Sequence, residues 1–153
     1  MVVTTAPGRR SQDNVTPHYS HNRYTSRSHP MPIASYAEAR LYIAEAEAQL
    51  GRLDNALGEI NNLRAPLGIP RYTTPTTLTQ AAVIRAVLEE RRRVLFQWAG
   101  HRVNDMIRYR GTPYAIPWKG DPGSIHPNGL DHNGLTYGRT TCLPLPAVET
   151  AVN

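Results

Sequence analysis

A single cysteine, Cys142, stands among 153 residues, so no intramolecular disulfide can form and no cysteine cluster is available for zinc. It sits in the apolar run Thr141-Cys142-Leu143-Pro144-Leu145-Pro146 with no partner base in view, which favours a small buried hydrophobe over a nucleophile. Long hydrophobic runs are missing too. Nowhere do the roughly eighteen apolar residues that would span a bilayer follow one another, and Met1 to Arg10 lack the apolar core of a signal peptide. Any targeting segment of an exported parent protein is therefore expected upstream. The chain also lacks a Gly-rich phosphate loop, a Gly-x-Ser-x-Gly elbow and a His-Glu-x-x-His pair, and no serine lies in a nucleophile context. An enzymatic activity has no residues to carry it, and no catalytic residue, cofactor or metal is expected.

A chain of this length fits one domain that buries roughly two-thirds of its unfolded surface. Only 40% of it is apolar, below the usual figure of about 45–50%, and its thirteen prolines are unevenly spread. A compact middle with irregular flanks follows. Lys and Arg total 17 against 12 Asp and Glu, for a net charge of +5. Such a balance raises the question of nucleic acid. Here Arg91, Arg92 and Arg93 sit beside Glu89 and Glu90 on a predicted helix, where pairing three and four residues apart is available. No stripe of lysines alternates with aromatics, so the arginines read as a solvated or salt-bridged face and no nucleic-acid partner is expected.

Residues 1–34 carry Pro7, Pro17, Pro30 and Pro32 with few aliphatics, and read as an extended lead-in. Within it Val15–Tyr19 and Asn22–Thr25 are candidates for short strands. From Ser35 the texture changes. Tyr36 to Leu50 is rich in helix formers, Ser35 and Glu38 offer a capping box, and Gly51 supplies the stop. Ala37, Leu41, Ala44 and Ala48 make one narrow face of small residues suited to close helix approach. A second helix is expected near Asp54, capped by its carboxylate, running through Ala56, Leu57, Ile60 and Leu63 until Pro66. So short a link makes residues 35–66 an antiparallel hairpin of tetratricopeptide type, although no second copy recurs at the roughly 34-residue offset of such arrays. One such unit cannot cover its own apolar faces.

A loop over 68–75 leads to Thr77-Leu78-Thr79-Gln80, a second capping box, and a long helix is expected over 77–110. Ala81, Ile84, Val87, Leu88, Val94, Leu95 and Trp98 give it a broad apolar face, Glu89 to Arg93 are expected to face solvent or another domain, and Gly100 marks a break. Residues 111–153 form an irregular tail with closely spaced Gly and Pro, a stretch that is either functional or steadied by a larger body. A short turn over 147–152 closes it.

Several motifs now stand in order. They are Tyr36-Ala37-Glu38-Ala39-Arg40-Leu41 with Ala44-Glu45-Ala46, then Ile60-Asn61-Asn62-Leu63-Arg64, then Glu90-Arg91-Arg92-Arg93 with Gly100-His101-Arg102-Val103-Asn104-Asp105-Met106-Ile107-Arg108. With Tyr137-Gly138 and the closing Leu143-Pro144-Leu145-Pro146, this order resembles the C-terminal half of SusD/RagB family proteins. Ala99 stands where the family pattern has a glutamate, and one extra residue lies between Glu90 and Gly100. The resemblance implies an all-α fold with a tetratricopeptide-like helical hairpin, a long third helix and long irregular Gly/Pro-rich segments. It also implies a non-catalytic role at the bacterial outer-membrane surface, capturing oligosaccharide or another nutrient above a TonB-dependent transporter. Whole family members are several times longer and carry a lipid-anchoring cysteine. This chain is therefore expected to be a C-terminal fragment, whose parent meets the membrane only through an anchor absent here.

Individual residues carry two kinds of reading. His101 and Asp105, four apart on a helix, could form an acid–base pair or two metal ligands. The stronger reading makes Glu90, Arg91, Gly100, His101, Arg102 and Asp105 a structural motif that ties segments together by charge-assisted hydrogen bonds. His126, Asp131 and His132 match no zinc or calcium spacing. Trp118, Tyr114 and Tyr109 are the candidates for stacking on a sugar, against the alternative of burial at an interface.

Overall fold

The computed structural model describes residues 3–11, 14–15, 17–21, 24, 26–73, 78–98, 100–130 and 133–137. They fall into two compact units, Met1–Asn22 with Pro117–Asn153, and Arg23–Ile116. Cys142, the closing Leu143-Pro144-Leu145-Pro146, the turn expected over 147–152, and Asp131 and His132 lie outside the described residues.

The second unit is helical. Helix α1, Tyr36–Gln49, starts where expected, because the Ser35 hydroxyl accepts from the Glu38 N–H at 3.1 Å. The reciprocal half of the capping box does not form. Glu38 instead accepts from the Tyr42 hydroxyl at 2.8 Å, one turn further along. At the other end Gly51 takes φ 78°, and the N–H groups of Gly51 and Arg52 reach back to the carbonyls of Ala48 and Glu47 at 3.1 and 2.9 Å. This double closure reverses the chain within two residues. It also moves the next helix forward. Helix α2, Leu53–Arg64, begins two residues earlier than a cap at Asp54 would place it, with Arg52 at the cap position and no side-chain cap. Asp54 lies in the first turn, where its charge complements the helix's positive end. Pro66 falls in a 3₁₀ turn, Ala65–Leu67, that ends at Gly68 in the left-handed conformation.

Helix α3, Gln80–Val94, is capped by Thr79, whose hydroxyl accepts from the Ala82 N–H at 3.2 Å. Gln80 is thus the first helical residue and not the third of a capping box opened by Thr77, which lies outside the described residues. Its amide donates to the carbonyls of Ala48 and Gln49, both at 3.0 Å, and so satisfies the open end of α1. The stretch 77–110 is not one helix. After Val94 the chain turns through Gln97 and Gly100, both at positive φ, before helix α4, His101–Arg108. Glycine adopts that backbone without penalty, which is why the break falls there.

Ala44, Ala48 and Ala56 are fully buried, and their small size lets α1 and α2 approach closely. Around them Leu57, Ile60, Val83, Ile84, Val87, Leu88 and Tyr109 form one core cluster, while Leu41, Leu63, Leu95 and Trp98 form a second. Burying each large aliphatic side chain contributes about 1.5–3 kcal/mol. The opposite side of α1 is also apolar: Tyr36, Ala39, Ile43, Ala46 and Leu50 recur at spacings of three and four and are all exposed. A helix apolar on both sides is one built to be covered on both.

The other unit holds a small sheet that the proline-rich sequence does not announce. Strand β1, Val3–Arg10, pairs antiparallel with β2, Pro17–His21, with Val3 opposite His21 and Arg10 opposite Pro17. The register slips between Thr5 and Arg10, where Gly8 takes φ 76°. Of the two expected strand segments, Val15–Tyr19 overlaps β2. In the other only Tyr24 is described, and it lies in no strand. The described residues of 117–130 and 133–137 lie mostly in turns and bends, with an isolated bridge between Leu130 and Thr136. The fold is therefore helical with a minor hairpin added.

Candidate functional site: a buried arginine knot

The feature that most distinguishes the helical unit is a set of charges inside it. Arg91 on α3 is only 2% exposed, yet its neighbours Arg92 and Arg93 are open to solvent and pair with Glu89. This corrects the expectation that Glu89 to Arg93 share one outward face, because three consecutive positions span most of a helical turn. The Arg91 guanidinium donates through Nη1 to Asp105 Oδ1 on α4 at 2.7 Å and through Nη2 to Glu45 on α1. One planar fork thus serves two carboxylates on two helices, which a lysine could not do. The Tyr42 ring covers the guanidinium at 5.3 Å.

Glu45 is the second centre of the knot. It also accepts from the Tyr109 hydroxyl and lies 2.5 Å from Arg108 Nη2, which bonds Asp105 at 3.1 Å. Burial alone would raise the Glu45 pKa, but hydrogen bonds from Arg91, Tyr109 and Arg108 prevail and hold it below its ordinary value. For Tyr109, burial and the bond to Glu45 act together and push its pKa up to about 12. Nearby, Glu90 is buried against Arg64 of α2 at 2.9 Å. Arg91 and Arg64 thereby join all four helices.

The remaining motif residues divide among different partners. His101 Nε2 lies 3.3 Å from Glu38 on α1, and Gly100 opens α4. Arg102 is half-buried, and burial lowers its pKa against the opposing pull of Glu89. His101 and Asp105 face Glu38 and Arg91 respectively, so no acid–base relay between them is assembled. Among the described residues no three His, Cys, Asp or Glu side chains are placed to hold a metal. The His126 ring packs at a tilt against Tyr137 with ring centres 5.0 Å apart.

The three aromatic candidates differ in their surroundings. Tyr109 is 5% exposed and belongs to the core, so its ring face is closed to a sugar. The reason lies at its hydroxyl, which donates to Glu45 and accepts from Gln49 at 3.1 Å, drawing the ring beneath α1. Tyr114 packs edge-on against it at 5.9 Å and donates to Gln80 at 3.2 Å. Trp118 belongs to the other unit, half-buried, with its backbone N–H on Asp121 at 2.9 Å.

Glu45 was the residue that composition concealed, since an Ala/Glu-rich segment makes every glutamate look like a solvated helix former. Its position was the signal. Residues 41, 44, 45 and 48 share one helical face, so Glu45 is a charge on the apolar stripe and requires a buried partner.

No curated protein and no solved structure matches this chain. Residues 5–151, nearly its full length, match the SusD family model. That family binds nutrients, glycans among them, at the cell surface, is associated with the outer membrane, and is non-catalytic in character. Among the described residues no helix is long and apolar enough to cross a membrane. With a helical hairpin, an arginine locked between carboxylates and a family match across almost every residue, this chain belongs to the SusD family.

Proposed function

We propose that the chain takes part in non-catalytic capture of oligosaccharide at the cell surface, in partnership with a TonB-dependent outer-membrane transporter. The observation that carries this reading is the family match over residues 5–151. The knot is consistent with it, since every one of its carboxylates is committed to a cation or hydroxyl and none is left to act on a substrate. On this reading the helical unit is scaffold within a larger binding body, and Tyr114 and Trp118 are the aromatic residues to offer a sugar ring, with Tyr109 steadying Tyr114 from behind. The purified chain should retain neutral oligosaccharides on an affinity gel without shortening them, and Trp118→Ala with Tyr114→Ala should weaken that retention. Release of shorter products, or no retention of any oligosaccharide, would overturn it.

A second reading, a tetratricopeptide-like scaffold for another protein, is favoured by the exposed stripe Tyr36, Ile43 and Leu50 on α1. It predicts that protein association survives deletion of residues 111–136 and is lost when Tyr36 and Ile43 are changed to serine.

A further inference from the structure

An open cleft of about 530 Å³ lies in the helical unit between α2 and the segment 71–73, lined by Asp54, Leu57, Gly58, Asn61, Arg71, Tyr72 and Thr73. Its volume is within the range of about 300–1,000 Å³ common to small-molecule sites. Positions 54, 57, 58 and 61 share one face of α2, so a single helical stripe makes one wall. The facing wall is held in place from two points. Asn61 accepts from the Tyr72 N–H at 2.6 Å and donates to the Tyr72 carbonyl at 3.5 Å, and Arg64 Nε donates to the Pro70 carbonyl at 2.8 Å. Arg64 also covers the Tyr72 ring at 5.8 Å. The cleft is therefore preformed and does not depend on a ligand to order it.

Two features of the lining stand out. Asp54 and Arg71 carry opposite charges into the same cleft, yet neither pairs with the other nor makes a side-chain hydrogen bond among the described residues. Elsewhere in this unit carboxylates and guanidinium groups are joined, as Arg40–Glu59, Arg64–Glu90 and Arg91–Glu45 are. Gly58 is the other feature. It sits in the interior of α2, where glycine costs about 1 kcal/mol relative to alanine, and a Cβ built there would meet nothing within 4 Å. Neither packing nor backbone conformation requires a glycine at this position, and the missing side chain leaves this wall of the cleft open.

We infer that this cleft is a subsite for a neutral sugar unit, an inference that rests on the glycan reading above and adds a location on α2 remote in sequence from Tyr114 and Trp118. One carboxylate and one guanidinium in the lining give no net charge, which disfavours an anionic or cationic ligand. Together with the Thr73 hydroxyl they offer acceptors and donors to adjacent hydroxyl groups, the pattern a polyol satisfies. Leu57 supplies the limited apolar contact that a sugar's C–H face needs.

The test is an amide-resolved NMR titration of the full ¹⁵N-labelled chain with maltotetraose, cellotetraose and xylotetraose, with tetraglycine as comparator. At least one sugar should saturably shift the amides of Gly58, Asn61 and Thr73, and tetraglycine should not. Gly58→Leu, which projects a side chain into the cleft, should weaken that sugar roughly tenfold or more. Arg71→Met, at an exposed position, should weaken it as well and keeps the test decisive if Gly58→Leu disturbs the helix. Sugar binding that moves only residues near Tyr114 or Trp118 and survives both variants would overturn the cleft and leave the glycan reading intact. Cleft shifts with tetraglycine alone would overturn the sugar assignment in favour of peptide. Absence of binding by all three sugars would overturn both readings.

Discussion

The helical unit and the turn-rich stretch from Pro117 to Tyr137 belong to one chain but are held by interactions of different reach. In the helical unit the decisive contacts join residues far apart in sequence, with Arg91 meeting Glu45 across 46 positions and Tyr109 meeting Glu45 across 64. In the turn-rich stretch the backbone bonds among the described residues are local: Asp121 N–H to the Trp118 carbonyl at 2.9 Å, Gly120 N–H to the His126 carbonyl at 2.8 Å, Tyr137 N–H to the Gly129 carbonyl at 2.8 Å. Lys119 lies over the Tyr137 ring at 3.8 Å, a pair at the surface. A lesion in the first region should therefore spread through the fold, whereas a lesion in the second should remain where it is made.

The contrast is most easily broken at Arg91. Arg91→Met leaves Glu45 and Asp105 buried without their shared partner and should cost about 3–5 kcal/mol, read as a fall in the urea midpoint by far-UV circular dichroism. An unchanged midpoint would mean that the knot is not what unites the helices. Acid reaches the same centre by a different route. Because the folded-state pKa of Glu45 lies below its ordinary value, its contribution is present above the ordinary glutamate range and is lost as pH falls through the depressed folded value. The wild-type chain should lose stability over that acid interval, and the Arg91→Met chain, in which Glu45 is no longer held down, should lose measurably less. Ser35→Ala removes the cap of α1 alone and should cost about 1 kcal/mol in the same assay. Smallest of all, Lys119→Ala should change the midpoint by less than about 1 kcal/mol while shifting the Tyr137 ring resonances by NMR. A larger global effect at Lys119 than at Ser35 would erase the distinction between the two regions.

Helical periodicity makes most of the helical unit legible in the sequence. The stripe 37, 41, 44, 48 and the apolar face around Ile84, Val87 and Leu88 are the ones that pack, and Ser35, Gly51 and Gly100 mark real boundaries. Local patterns failed where distant contacts decide. Thr77 and Thr79 offer the same hydroxyl two residues apart, and the choice of Thr79 places Gln80 where it closes the end of α1. The burial of Arg91 beside exposed Arg92 follows from helix phase, but only once Glu45 is seen as a charge on an apolar face. Strand β1 was hidden because Pro7 and Gly8 interrupt its pattern while pairing with β2 supplies the order. The cleft beside α2 was equally invisible, since the Asn61 side chain that fixes its far wall is one amide among many until its partner is known.

The eight residues of α4 are too few to persist as an isolated helix, and of its residues only Asp105 is buried. Its lifetime is therefore borrowed from the guanidinium that Asp105 shares with Glu45. Opening α4 means releasing Arg91, and releasing Arg91 loosens α1 and α3 together. The shortest helix of the unit should consequently exchange its amide hydrogens in step with the longest, through one common unfolding event, and not by fraying from its own ends.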